Sequence, residues 1–169
     1  MVLTKENLIL THQQILQKIK RMAFEIYEQN FEETQLVLAG IQENGYFLAQ
    51  ALAQELREIS PIDIQLTSVR LHKTQPLTHP IEIEPALPPL SNTAVVLVDD
   101  VLNTGKTLAY TLRAFLEKDC KKLEIATLIN RHHTAYPIAA TYTGYSLATT
   151  LREHIRVVKT DSIWQAHLL

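Results

Sequence analysis

The chain has 169 residues, 46% of them hydrophobic and 20% charged, with a formal net charge of −2 and a single cysteine. This size and hydrophobic content fit one compact unit with a full core, residues 1–169 as a single domain, and the charge balance excludes an overall basic footprint for nucleic acid. Lone Cys120 excludes an intramolecular disulfide and fits a reducing compartment. No apolar run approaches the roughly 18 residues of a membrane-spanning helix. The N-terminus lacks the charged-then-apolar order of a signal peptide, so a cytoplasmic location is expected.

In chain order, residues 4–29 carry a helical stripe in which Ile15, Ile19, Met22, Ala23 and Ile26 recur at spacings of three and four. Thr11 followed by Gln14 has the form of a capping box, which leaves open one helix or two in this region. Residues 35–39 read as a short apolar strand ending at Gly40, and residues 46–59 as a helix with Leu48, Leu52 and Leu56 four apart. Ile62, Ile64 and Leu66 alternate as in a strand. Residues 72–92 then hold Pro76, Pro80, Pro85, Pro88 and Pro89, which forbid a regular helix. A connection this long inside a compact domain suggests a functional lid or a hairpin arm, with Ile81-Glu82-Ile83-Glu84 as one side of the arm. An irregular surface loop is the plainer alternative. Strands follow at 95–98, 122–129, 139–142 and 155–158, and a helix at 107–116. This order implies an α/β fold, a mainly parallel sheet with helices on both faces and a flexible loop or hairpin arm.

The chemistry concentrates in Val95-Val-Leu-Val-Asp-Asp-Val-Leu-Asn-Thr-Gly-Lys-Thr107. An apolar strand delivers Asp99 and Asp100 to its carboxyl end, the side of an open α/β sheet where ligands collect. The turn after it opens a helix, whose free N–H groups and positive dipole end suit a phosphate. Two carboxylates beside such a turn cannot favour the phosphate itself; sugar hydroxyls or a divalent cation shared with a polyphosphate fit them better. Together these features read as a site for a phosphorylated sugar. Gly105-Lys106-Thr107 ends like a Walker A loop, but that motif needs a glycine where Asp100 stands. An ordinary helix capped by acids is the bland alternative, and it leaves two adjacent carboxylates without partners.

Val-Leu-Val-Asp-Asp-Val-Leu-Asn-Thr-Gly-Lys-Thr resembles the phosphoribosyl pyrophosphate (PRPP) motif of type I phosphoribosyltransferases. Within them the chain is most similar to the PyrR family of pyrimidine-operon attenuators and uracil phosphoribosyltransferases, from about residue 7 to 158. The resemblance implies transfer of 5-phosphoribosyl from PRPP to a nucleobase, uracil first, giving UMP and pyrophosphate. It places the 5′-phosphate in the PRPP loop of Val101, Leu102, Asn103, Thr104, Gly105, Lys106 and Thr107. Asp99 and Asp100 become the catalytic acids, holding the ribose hydroxyls directly or through Mg²⁺. The pyrophosphate loop falls on Ile41, Gln42, Glu43, Asn44 and Gly45, and Arg70 and Arg131 belong to the flexible loop and base. The flexible loop would close over PRPP and exclude water. Expected partners are PRPP, a nucleobase or nucleoside monophosphate, and further copies of the chain in a homodimer or higher homo-oligomer.

Two departures from the family pattern stand out. The pyrophosphate loop of PyrR-like enzymes reads Gly-Ile-x-Thr-Arg-Gly, whereas here Glu43 and Asn44 precede Gly45. An acid beside a departing pyrophosphate is unfavourable by about 1–4 kcal/mol, depending on screening. The residues that serve RNA are also thinned. Lys20-Arg21-Met22-Ala23-Phe24 keeps only the arginine of Thr-Arg-x-x-His, Thr134 and Ala139 replace two later arginines, and Tyr145 replaces a lysine. Each lost cation removes a potential phosphate contact, which argues against RNA as a partner. The alternative functions are a PyrR-type attenuator, or a catalytically weak regulator that binds nucleotides. Local cationic groups remain at Lys18, Lys20 and Arg21 and at Arg152, His154 and Arg156, and read as solvated faces. His132-His133 lacks supporting ligands for zinc, and Trp164 reads as a packing residue.

Overall fold

The computed structural model describes residues 7–72 and 74–169. Along them run β1 (Leu8–Leu10), α1 (His12–Asn30), β2 (Gln35–Ile41), α2 (Asn44–Ile59), β3 (Asp63–Arg70), β4 (Glu82–Glu84), β5 (Ala94–Leu102), α3 (Lys106–Leu116), β6 (Lys122–Asn130), β7 (Tyr142–Ser146), β8 (Ile155–Thr160) and β9 (Ile163–Leu168). Six strands form the central sheet in the order β4-β3-β2-β5-β6-β7, parallel except for β4, which returns antiparallel along β3. β1, β9 and β8 form a separate small sheet.

The period of two along each strand splits the core into two layers. Leu36 and Leu38 of β2 and Val96 and Val98 of β5 face a cluster that takes Ile15, Ile19, Met22 and Ile26 from α1 and Leu48, Leu52 and Leu56 from α2. Val37, Ala39, Val95 and Leu97 face the opposite cluster with Leu108 and Phe115 of α3. Helices thus cover both faces, which is why the inner strands read as continuous apolar runs.

Several boundaries differ from the sequence reading. The helix expected over residues 4–29 begins only at His12, behind a reciprocal Thr11–Gln14 box. Residues 8–10 pair with β9 instead, a tertiary pairing no local pattern displays, and residues 4–6 lie outside the described residues. The strand expected at 139–142 forms at Tyr142–Ser146, because residues 131–138 are used to back the loop after β5. The strand at 155–158 extends to Thr160, and a further strand, β9, follows it. The 81–84 segment does form one side of a hairpin: Val69 pairs with Ile83 and Arg70 with Glu82.

This topology fixes where a ligand has room. β2 connects through α2 to β3 on one side, and β5 connects through α3 to β6 on the other. The chain therefore turns opposite ways from two adjacent parallel strands, β2 and β5, which pair with Gly40 beside Val98. The crevice beyond the carboxyl ends at such a switch point is the favoured binding place in open α/β sheets.

Candidate active site

Both strands at the switch point run directly into helix N-termini, and glycines allow the close fit. A Cβ on Gly45 would lie 2.6 Å from the Val98 carbonyl oxygen and 3.0 Å from Asp99 Cα, so only glycine lets α2 sit against the end of β5. Gly105 caps α3 at φ +82, a left-handed conformation that favours glycine. A Cβ there would also press on Ile138 at 3.0 Å.

Asp99 and Asp100 are the last half-buried positions before β5 ends in buried Val101 and Leu102. The Asp100 N–H donates to Asp99 Oδ1 at 2.9 Å, and the Val101 N–H donates to Asp100 Oδ1 at 2.9 Å. Asn44 Nδ2, at the start of α2, donates to Asp100 Oδ2 at 3.1 Å and to the Val157 carbonyl of β8 at 2.9 Å. The two acids line two cavities at once. One, of about 240 Å³, is completed by residues 101–108 of the turn and α3. The other, of about 310 Å³, is completed by Gln42, Glu43 and Asn44. The structure thereby brings together Asp99 to Thr107 and Gln42 to Asn44; Ile41 is buried below them and Gly45 is packed on β5.

The turn after β5 is braced from behind. The Leu102 carbonyl accepts from Arg131 N–H at 3.1 Å, and the Thr104 carbonyl accepts from Ala135 and Tyr136 N–H at 2.8 and 3.1 Å. Carbonyls that would repel an anion are thus turned toward residues 131–136. Thr104 Oγ1 accepts from Lys106 N–H at 3.3 Å, which places a hydroxyl at the head of α3. Ile138, packed beside Gly105, belongs to the same backing.

Both arginines have partners within the protein. Arg70 is exposed and reaches the pyrophosphate-loop candidate, its Nε donating to Gln42 Oε1 at 2.8 Å, with Glu82 3.7 Å from its other end. Arg131 is buried, and its guanidinium holds Thr149 Oγ1 at 2.8 Å and the Thr150 carbonyl at 3.0 Å. His133 also contacts the Thr149 carbonyl, at 2.6 Å. Trp164 is buried in the core cluster. The connection between β3 and β4 leans on α3, where residues 76–81 with Tyr110, Arg113, Ala114 and Glu117 enclose about 460 Å³. That cavity is larger but shares no residue with the acids, and its one ion pair, Arg113–Glu117, closes on itself at 2.9 Å.

Among the described residues no three His, Cys, Asp or Glu converge as a metal centre. Magnesium, however, is commonly held by one or two carboxylates plus substrate phosphates rather than by an all-protein cage. Adjacent Asp99 and Asp100 on a cavity wall suit that arrangement.

A mostly parallel sheet whose switch point joins two helix N-termini across a shared pair of carboxylates defines an α/β protein with a polar crevice at the carboxyl ends of its strands. The phosphoribosyl transferase domain matches residues 7–160, and the chain belongs to the type I phosphoribosyltransferase family. It is 34% identical over 164 residues to the Bifunctional protein PyrR of Macrococcus caseolyticus, covering 94% of both chains. It is 36% identical over 163 residues to that of Alkaliphilus metalliredigens, covering 90% of this chain and 88% of the relative. In structure it is similar to a hypoxanthine-guanine phosphoribosyltransferase from Bacillus anthracis, with TM-score 0.75, 15% identity, and coverage of 98% and 99%. The hypoxanthine phosphoribosyltransferase of Trypanosoma cruzi gives TM-score 0.77 at 14% identity, with 95% of each chain covered. At such identities the structural likeness speaks for the fold alone.

Proposed function

We propose that this chain is a cytoplasmic, single-domain, homo-oligomeric enzyme that transfers 5-phosphoribosyl from PRPP to a nucleobase, with uracil as the first-choice acceptor. The observation that carries the reading is the sharing of Asp99 and Asp100 between a cavity headed by α3 and a cavity headed by α2. PRPP has a phosphate at each end of a ribose, and two helix N-termini flanking a pair of hydroxyl-binding acids match that sequence of groups. Residues 103–107 hold the 5′-phosphate through N–H groups and threonine hydroxyls, and Asp99 and Asp100 hold the ribose hydroxyls. Residues 41–45 receive the pyrophosphate, with Arg70 at the loop's edge as the cation that Glu43 and Asn44 do not supply. Asp99 and Asp100 would hold Mg²⁺, which neutralises diphosphate charge as that group leaves.

As the bond from the anomeric carbon to pyrophosphate breaks, the electron pair leaves with the diphosphate and the carbon gains oxocarbenium character. Asp100 stabilises that charge, and a base nitrogen held beside Val101 and Leu102 attacks the anomeric carbon and gives up its proton to the departing diphosphate. Uracil is chosen on the similarity to PyrR proteins. A second reading, a nucleotide-binding regulator without transfer, draws on the second cavity, whose walls carry Glu43, Asp99 and Asp100 and no lysine or arginine.

Calorimetric titration with PRPP, UMP and GMP, with and without Mg²⁺, followed by a transfer assay with uracil, hypoxanthine and guanine, tests both. Binding with turnover is the expected result. UMP binding without turnover on any base selects the regulator, and no binding by all three ligands removes both readings.

A further inference from the structure

Asn44 joins three parts of the chain that are far apart in sequence: the head of α2, the acids ending β5, and strand β8 of the small sheet. Its Nδ2 carries two hydrogens, and two acceptors lie within reach, Asp100 Oδ2 at 3.1 Å and the Val157 carbonyl at 2.9 Å. The assignment of the amide is set by chemistry, since reversing it would put an oxygen against two oxygens. Asp100 is then fixed at both ends, Oδ1 by the Val101 N–H and Oδ2 by Asn44.

A lysine or arginine at this point would also hold the carboxylate, but by neutralising it. A carboxamide holds it and leaves its charge available. We infer that Asn44 is a positioning residue that orients the Asp100 carboxylate, undiminished in charge, toward the ribose and its metal, and ties that orientation to the small sheet through Val157. The inference rests on the phosphoribosyl reading for what Asp100 does, though not for the bridge itself. It also gives the change at this position a purpose. The donor that the loop gives up for pyrophosphate is spent on the acid, and the small sheet is docked by the same side chain.

Side-chain amide NMR of the ligand-free protein tests the bridge without any substrate. The Asn44 amide pair is expected to be slow to exchange and to move when Asp100→Asn is introduced. A resonance indifferent to Asp100→Asn overturns the proposal. The role in positioning is tested by a double-mutant cycle on the affinity for PRPP with Mg²⁺, using Asn44→Ala, Asp100→Asn and the pair, each checked for cooperative melting. Asn44→Ala is expected to weaken binding roughly tenfold, the effect of one hydrogen bond to a charged group. The double variant is expected to bind no worse than Asp100→Asn alone, because Asn44 acts through Asp100. An amide that is merely structural, or that meets the pyrophosphate directly, gives additive losses, and either overturns the role. Should the wild-type chain fail to bind PRPP, the phosphoribosyl reading falls, and the amide resonance still decides the bridge.

Discussion

Asp100 combines two demands that rarely coincide, a fixed geometry and an unneutralised charge. Asn at this position keeps the shape, but one amide oxygen cannot accept from both Val101 N–H and Asn44 Nδ2, so one of those bonds is lost. Asp100→Asn is therefore expected to reduce PRPP-dependent turnover by at least about a hundredfold. The loss of roughly 1 kcal/mol in hydrogen bonding is offset by relief of the adjacent Asp99 charge, so the melting temperature should change little. Steady-state assay and thermal melting of the same variant check both, and normal turnover would remove Asp100 from the chemistry. Gly45→Ala should behave in the opposite way. Its Cβ meets Val98 O and Asp99 Cα, so α2 must shift off β5, at about 1–3 kcal/mol in urea unfolding, with ligand binding lost as the acids move. At this scale much of the candidate site was legible, because a carboxylate pair after an apolar run and a glycine in a phosphate turn are local signals. The hydrogen-bond partners of Arg131 were not. The same sequence serves a base-facing arginine and one that closes on Thr149 and Thr150, and the difference depends on where residues 149–150 fold.

The elements are tied at the far end of the sheet by a buried polar network. Asn30, closing α1, donates to Glu124 Oε1 of β6 at 3.0 Å, and Tyr142 of β7 donates to Glu124 Oε2 at 2.8 Å. Burial first, and then the Glu124 carboxylate, push the Tyr142 hydroxyl well above its ordinary value of 10.0. A folded-state value raised in this way contributes stability that is intact below the unfolded value and falls as pH rises above it, where the unfolded phenol ionises first. Tyr142→Phe is expected to lose about 1–3 kcal/mol at neutral pH by leaving Glu124 Oε2 without its donor, while Asn30 still holds Oε1. Its urea midpoint should then fall less steeply than wild type above about pH 10. Equal slopes would show that Tyr142 is not the alkaline-sensitive group. The inner strands and α2 were readable because they are long and buried on one pattern. β1 and β9 were not, since three residues of one terminus pair with the other terminus across most of the chain, and no window of sequence contains both partners.

Taken whole, the molecule has no overall excess of basic charge to draw in a nucleic acid. The formal net charge is −2. Of the cations on the outer side of α1, Arg21 is drawn to Glu25 at 2.6 Å and to the Gly144 carbonyl at 2.5 Å, and Lys18 lies over the Tyr145 ring. A phosphate backbone would have to displace those internal partners before it gained a contact. RNA affinity of this kind derives mostly from counterion release, with each neutralised phosphate adding roughly one unit to the salt slope. With Arg21 and Lys18 engaged in this way, α1 offers a phosphate backbone little to gain, and weak binding with a shallow slope is expected. Gel-shift titration with the pyrimidine-operon leader of the same genome is expected to show no retention at micromolar protein, with or without UMP. Tight retention that strengthens with UMP and falls steeply with salt would make RNA a true partner. It would also require that Arg21 leave Glu25 on binding. Glu25→Gln, which frees the guanidinium from its ion pair, separates the cases: it should strengthen retention if Arg21 is the limiting contact, and leave the gel unchanged if the surface lacks the remaining cations.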